Sequence, residues 1–441
     1  MWLLPHLATV CTAAVRVYYR ASRGGVSVPA DGPVLLVGNH PNSLLDPAFL
    51  AWVAQRPIRF LAKEPLFRDR LIGWLIRGSG SLPVYRQVDS PGQTAKNRDT
   101  FAAVHQALAA GSAVALFPEG ISHDGPALAP LKTGAARIAL GAVALTGQAF
   151  PIVPVGLVFR DKELFRSEAH AEVGSPVEWD DLVGRGEDRE AVHELTRRID
   201  AAMRSVTLNL SRWEDEAVIR TAEAVWAAER PVELDASARL ARLSTATEML
   251  ARLRASENPA WDALARDVRA HGEVLAALQI EPADVRLDRG LAPAVRWVAR
   301  RVSVRSLGLA VAAVLTAVLF WVPYRLTGII AGRMSPSRDT LSTYRVLVGT
   351  AVFAVWILGI SVCVGSVTSA LVGVLVALAL PPLGLLGLYA TERWQSSVAV
   401  AQRWFRLRRD DPRLAQLPAQ QAALVGRLEA ALAEAQQQSH A

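Results

Sequence analysis

Between residues 31 and 180, short apolar runs alternate with longer windows of helical spacing. Residues 34–37, 58–61, 113–117 and 152–158 are nearly continuous apolar stretches of strand length. Residues 100–110 repeat apolar positions at helical spacing and stop at Gly111, and 131–145 follow the same rule. Strands separated by helix-length windows predict an α/β fold, a mainly parallel sheet flanked by helices.

The pattern changes on either side of this block. Residues 1–20 are apolar, with basic residues only late. That order does not suit a signal peptide. Trp2, Leu3, Leu4, Leu7 and Val10 fall on one helical face, which fits either an interfacial helix on a bilayer or a helix packed on the next domain. Residues 181–305 are rich in Ala, Arg, Glu and Leu, and Pro231, Pro259, Pro282 and Pro293 cut them into several helices. Residues 307–324 and 346–390 carry no charge. The second run would be roughly 68 Å long as helix, about twice a bilayer core of roughly 30 Å. It therefore reads as two helices, 346–364 and 367–390, broken near Ser361–Ser369, with Pro381-Pro382 bending the second. The first run is of marginal length and reads as a span or a re-entrant helix.

Arg296, Arg300, Arg301 and Arg305 precede this region, and Arg403, Arg406, Arg408 and Arg409 follow it. Positive flanks prefer the cytoplasmic side. Both ends on that side require an even number of crossings, so a hairpin plus one re-entrant or interfacial helix is expected. In the tail, leucines at 414, 417, 424, 428 and 432 predict an amphipathic helix for core packing or for pairing with another chain. The expected organisation is an N-terminal interfacial helix (1–30), an α/β domain (31–180), a charged helical region (181–305), a membrane region (306–392) and a basic, amphipathic tail (393–441).

Composition sharpens the partners. Hydrophobic residues make up 51% of the 441 and charged ones 20%, so the chain can build a core. Net charge is +7 and the positive charge is nearly all Arg, with Lys only at 63, 96, 132 and 162. A basic balance suits nucleic acid, an anionic bilayer or an anionic substrate. No nucleic-acid-binding motif is present, so nucleic acid ranks last. Cys11 and Cys363 lie in separate apolar segments and read as small buried hydrophobes. The histidines show no metal spacing, and no metal or cofactor is expected.

The chemistry concentrates where two strands end. The run at 33–37 leads into Gly38-Asn39-His40-Pro41-Asn42-Ser43-Leu44-Leu45-Asp46-Pro47, and the run at 113–117 into Pro118-Glu119-Gly120. Polar groups at the carboxyl ends of parallel strands mark an α/β active site. Proline after His40 places that residue at a strand end, with a helix expected from Pro41. Asp46 meets the ring only if the turn at 39–42 brings the imidazole back over the helix. A His–Asp pair so arranged is a general base with an orienting carboxylate; a structural pair fits the spacing equally well. No Gly-x-Ser-x-Gly elbow and no active-site cysteine is present, so the simplest role is activation of a substrate hydroxyl.

Asn39-His40-Pro41…Asp46 resembles the first block of the glycerol-phosphate acyltransferase superfamily. Gly80-Ser81-Leu82-Pro83-Val84-Tyr85-Arg86 resembles the second, Phe117-Pro118-Glu119-Gly120 the third, and Pro151-Ile152-Val153-Pro154-Val155-Gly156 the fourth. The run from Phe117 to Leu140, with the long insert and apolar C-terminal helices, looks most like the glycerol-3-phosphate/dihydroxyacetone-phosphate acyltransferase branch of yeast and bacterial relatives. The superfamily's usual pattern has four residues between His and Asp; here there are five. The resemblance implies the glycerol-phosphate acyltransferase fold and transfer of a fatty acyl group from acyl-CoA or acyl carrier protein to glycerol 3-phosphate. Lysophosphatidate or another lysolipid is the alternative acceptor. It implies His40 and Asp46 as catalytic residues and Arg86 as a phosphate ligand.

A phosphate needs fixed positive charge, for which Lys132 and then Lys63 follow Arg86; each also reads as a solvated surface charge. Glu119 is expected to pair with Arg86 or accept a substrate hydroxyl, with Gly120 turning the chain close to the ligand. His123 reads as a turn-stabilising residue or a substrate contact. The lipid bilayer is an expected partner, and a bacterial inner membrane with the α/β domain cytoplasmic is the expected location. The non-enzymatic alternative is a catalytically silent lipid-binding membrane protein.

Overall fold

The computed structural model describes residues 1–441 except 71, 87, 88, 90, 231–234, 256–258, 288, 289, 291–303, 410 and 439–441. Pro231, Pro293, Arg296, Arg300 and Arg301 lie outside the described residues. The chain forms two compact units: Met1–Asn209 with Leu234–Ser244 and Ser335–Val346, and Leu210–Glu233 with Thr245–Met334 and Leu347–Ala441.

The first unit is built on seven strands: β1 (Arg20–Gly25), β2 (Val34–Gly38), β3 (Ile58–Lys63), β4 (Leu82–Val84), β5 (Ala113–Leu116), β6 (Ile152–Phe159) and β7 (Glu168–Val173). Their order is β1-β7-β6-β2-β5-β3-β4. Each neighbouring pair is parallel except β6 with β7. The helices of this unit are α1 (Leu7–Tyr18), α2 (Leu45–Ala54), α3 (Pro65–Arg68), α4 (Gly73–Gly78), α5 (Asn97–Ala109), α6 (Gly134–Thr146) and α7 (Arg189–Ser205).

The continuous apolar strands are explained by burial on both faces. Val34 and Leu36 of β2 join Phe49 and Leu50 of α2 and Val15 of α1 in one core. Leu35 and Val37 join Leu108 of α5, Ile138 of α6 and Leu195 of α7 in the other. The mainly parallel sheet is the one expected. Strands β1, β4 and β7 escaped the apolar-run rule. Arg20–Gly25 holds no large apolar residue, and β4 has only three residues. Both take their place from strand neighbours rather than from side-chain pattern.

In the second unit, α8 (Glu214–Glu229), α10 (Pro259–Leu278) and α14 (Pro412–Gln438) share an apolar core. Helix α9 (Ala236–Ala255) begins in the first unit. Between α10 and α14 run α11 (Val304–Met334), α12 (Arg338–Val367) and α13 (Ala370–Leu407). These three are long and apolar enough to cross a membrane. Val318, Val355 and Leu378 are 73%, 72% and 69% exposed, and such outward apolar surface suits lipid rather than water. The first uncharged run, marginal by itself, belongs to a helix of 31 residues, about 46 Å at ~1.5 Å per residue. Counting uncharged residues cut it short at Arg325, whose guanidinium lies over the Trp321 ring. Packing among these helices relies on small residues: Gly387 of α13 meets Thr316 of α11, and Gly373 of α13 meets Gly365 of α12.

Candidate active site

Val37 of β2 is registered against Leu116 of β5. His40 and Glu119 each lie three residues beyond that pair, so neighbouring parallel strands deliver both to the same carboxyl edge. The His40 main-chain N–H donates to Glu119 Oε1 at 2.9 Å. Asn39 extends the β2–β6 pairing by side chain: its Nδ2 donates to Leu157 O at 3.0 Å, and the Leu157 N–H donates to its Oδ1 at 2.7 Å. The base of the loop is thereby fixed on both sides.

The helix expected from Pro41 starts four residues later, at Leu45. Ser43 adopts a left-handed conformation, φ 49°, which reverses the chain and costs about 1 kcal/mol for a residue with a Cβ. This turn absorbs the five-residue spacing and brings Asp46 under the ring. His40 Nδ1 lies 2.8 Å from Asp46 Oδ2. The same oxygen accepts the Asn42 N–H at 2.6 Å. A carboxylate on Nδ1 holds the ring proton there and leaves Nε2 as the acceptor. The ring stacks on Phe117, centroids 4.0 Å apart and planes within 10°. It keeps 20% side-chain exposure, whereas Asp46 has none. Burial pushes the Asp46 carboxyl above the usual carboxylate range, opposed by His40, the Asn42 N–H and the Lys162 charge.

Of the two expectations for Glu119, the pair with Arg86 is not formed: its carboxylate accepts from His40 N–H, from Ala129 N–H at 2.8 Å and from His123 Nε2. A buried carboxylate in a tight loop is satisfied by the nearest N–H groups. The Gly125 N–H donates to His123 Nδ1 at 2.9 Å, which assigns the His123 proton to Nε2, facing Glu119. Arg86 instead bonds Asp89 and the Gly120 carbonyl. Gly120 has φ 74°, and a Cβ there would touch the Lys132 stem at 3.4 Å. Lys132 itself is exposed, with its main-chain N–H on Pro118 O at 2.7 Å. Lys63 ends β3, exposed, and bonds to none of these residues.

The structure therefore brings His40, Asp46, Glu119, Gly120, Arg86 and Lys132 to one edge; Lys63, at the carboxyl end of neighbouring β3, lies along that edge without a bond to them. Among the described residues no three metal-ligating side chains cluster. Tyr19, Asn42 and Lys162, which reasoning from sequence passed over, also belong to this edge. Asn42 Nδ2 donates to the Tyr19 hydroxyl at 2.7 Å. Asn42 lies inside the motif and could have been found there; no local pattern marks Tyr19 or Lys162.

The mainly parallel sheet thus carries an imidazole–carboxylate pair at its carboxyl edge. Residues 21–158 match the family model Acyltransferase. The glycerol-3-phosphate O-acyltransferase 2 of Saccharomyces cerevisiae is 37% identical over 134 residues, which are 30% of this chain and 18% of that protein. The 1-acyl-sn-glycerol-3-phosphate acyltransferase of Streptococcus pneumoniae is 24% identical over 193 residues, 42% of this chain and 65% of that protein. The chain thus spans less than a fifth of the yeast relative's length. The crystal structure of the 1-acyl-sn-glycerophosphate acyltransferase from Thermotoga maritima aligns over 46% of this chain and 78% of its own, at 18% identity and a TM-score of 0.35.

Proposed function

We propose that the protein transfers a fatty acyl group from acyl-CoA or acyl carrier protein to the free hydroxyl of glycerol 3-phosphate, at a membrane. The observation that carries this is the His40–Asp46 pair, with Nδ1 held at 2.8 Å by a fully buried carboxylate and Nε2 unbonded among the described residues. Nε2 takes the hydroxyl proton as the oxygen attacks the thioester carbonyl. The tetrahedral intermediate expels the thiolate, which recovers the proton from the imidazolium. Asp46 stabilises that imidazolium through Nδ1, and no acyl-enzyme forms. Arg86, now on Asp89 and Gly120, exchanges Asp89 for the substrate phosphate, with Lys132 beside it and Lys63 as an outer charge. Glu119 and Gly120 shape the acceptor loop. The reaction needs no cofactor beyond the acyl donor.

Three apolar helices keep the enzyme where its product belongs; each methylene lifted from lipid would cost about 0.8 kcal/mol. Arg403 and Arg406 at the end of α13, with Arg408 and Arg409 beyond it, favour the cytoplasmic side for that end of the helix, and a bacterial inner membrane is the proposed location. Lysophosphatidate is the second acceptor reading, supported by the S. pneumoniae relative. The test is an acyl-transfer assay on the purified protein in lipid, with both donor types against glycerol 3-phosphate, dihydroxyacetone phosphate and lysophosphatidate. Turnover with glycerol 3-phosphate that His40→Ala abolishes supports the reading. Silence with every acceptor, alongside lysolipid binding, overturns it in favour of a lipid-binding protein.

A further inference from the structure

The loop between His40 and Asp46 has its carbonyls accounted for one by one. His40 O accepts the His123 N–H at 3.1 Å, Asn42 O the Leu45 N–H at 3.1 Å, and Ser43 O the Asp46 N–H at 3.3 Å. Pro41 O alone is held by a side chain, the Lys162 ammonium at 2.9 Å. Lys162 lies in the turn between β6 and β7, and its Nζ also reaches Asp124 Oδ1 at 2.7 Å. The side chain is only 12% exposed. Its carbonyl is fixed as well, by the Tyr19 hydroxyl at 2.5 Å and the Ser342 hydroxyl at 2.5 Å. Lys162 therefore joins the His40 loop to the loop that carries Glu119, His123 and Asp124.

Charge points the same way. Asp46 is fully buried, and its Oδ1 has no hydrogen-bond partner. Both N–H donors converge on Oδ2, so the carboxylate is under-compensated by local bonds. The Lys162 charge acts on it. The groups facing the His40–Asp46 pair are Tyr19 from the end of α1, Glu119, His123 and Asp124 from the loop after β5, and Lys162 from the turn after β6. Lys162 is the cation of that set. A chain whose other basic residues are nearly all Arg keeps a lysine here, and a compact ammonium suits a single carbonyl and a single carboxylate.

We propose that Lys162 is a positioning residue of the acyl-transfer site: it clamps Pro41 so that the imidazole stays over Asp46, and it supplies the fixed positive charge behind that carboxylate. This rests on His40 being the base. Wild type, Lys162→Met, Lys162→Arg and Asp124→Asn are compared for kcat, acceptor KM and the pH dependence of kcat. Alongside, the His40 imidazole is titrated by NMR, with His40→Gln to assign its signal. Lys162→Met should lower kcat at least tenfold with KM within threefold. Its acid limb and the titration of the His40–Asp46 pair should move to higher pH, because a pair without a nearby cation holds its proton more tightly. Lys162→Arg should restore part of both. Asp124→Asn, at an exposed position, leaves the ammonium less neutralised and should move both to lower pH. Unmoved titrations in Lys162→Met and Asp124→Asn, or a Lys162→Met kcat within threefold of wild type, overturn the proposal. An inactive wild type refutes the acyl-transfer reading instead, and the NMR titration still decides whether Lys162 sets the charge of the pair.

Discussion

Two of the histidine–carboxylate pairs in the α/β domain, His40–Asp46 at the sheet's carboxyl edge and His170–Glu172 within a strand, leave their rings in different states. His40 ends β2 at the carboxyl edge, with one ring nitrogen on Asp46 and the other unbonded among the described residues. His170 lies within β7, registered against Ser22 of β1. Its Nδ1 is 2.9 Å from Ser22 Oγ and its Nε2 2.8 Å from Glu172 Oε2. Both nitrogens of His170 are spent inside the sheet, so the ring has no lone pair left for a substrate. A carboxylate beside a histidine does not by itself make a base; the proposed role of His40 rests on its second nitrogen, which is unbonded among the described residues.

Mutation can break this contrast, and the largest effect is expected at His40. His40→Ala should reduce acyl transfer by at least about a thousandfold, read as kcat in lipid, since general base catalysis contributes about 10²–10⁴. Glu119→Ala should come next. It strips three donors of their buried acceptor, so kcat should fall about a hundredfold and thermal stability by about 3 kcal/mol. A thermal melt with no shift would show that the loop is not held this way. Arg86→Ala should raise the KM for the phosphate-bearing acceptor at least about tenfold while kcat changes less, as expected for one charge-assisted contact.

Asp46→Asn tests the electrostatics through stability. The folded-state pKa of Asp46 is raised by burial. The folded protein therefore binds that proton more tightly, and Asp46 contributes stability at acid pH that is lost as pH rises through the raised value. The asparagine variant should lose this dependence, so the stability difference between variant and wild type should tilt toward the variant as pH rises above the ordinary carboxylate range. A difference that stays flat with pH would sink the assigned shift. The smallest effect belongs to the other histidine: His170→Gln should leave kcat within about threefold, and a hundredfold loss would erase the contrast with His40.

Much of the site was legible because its residues are adjacent in sequence to strands that an apolar run reveals. Residues 34–37 and 113–117 located the sheet's centre, and what followed each was necessarily at its carboxyl edge. The Glu119 partner was misjudged because opposite charge suggested Arg86, whereas the loop after β5 folds back and offers main-chain and His123 N–H groups first. The membrane helices were visible in outline, but α11 was cut short because one arginine ended an uncharged run without ending the helix.

The amino-acid order alone determined the sheet's central strands, the helical windows around them, the apolar character of α11 to α13 and the presence of an imidazole and a carboxylate at one strand end. Those properties follow from local periodicity and composition. Only the folded chain decided that Ser43 turns left-handed so that five intervening residues still bring His40 onto Asp46. It also decided that Tyr19, Lys162 and Ser342 converge behind them. Such contacts join residues more than a hundred positions apart, and their geometry is set by strand register and packing, which no local pattern encodes.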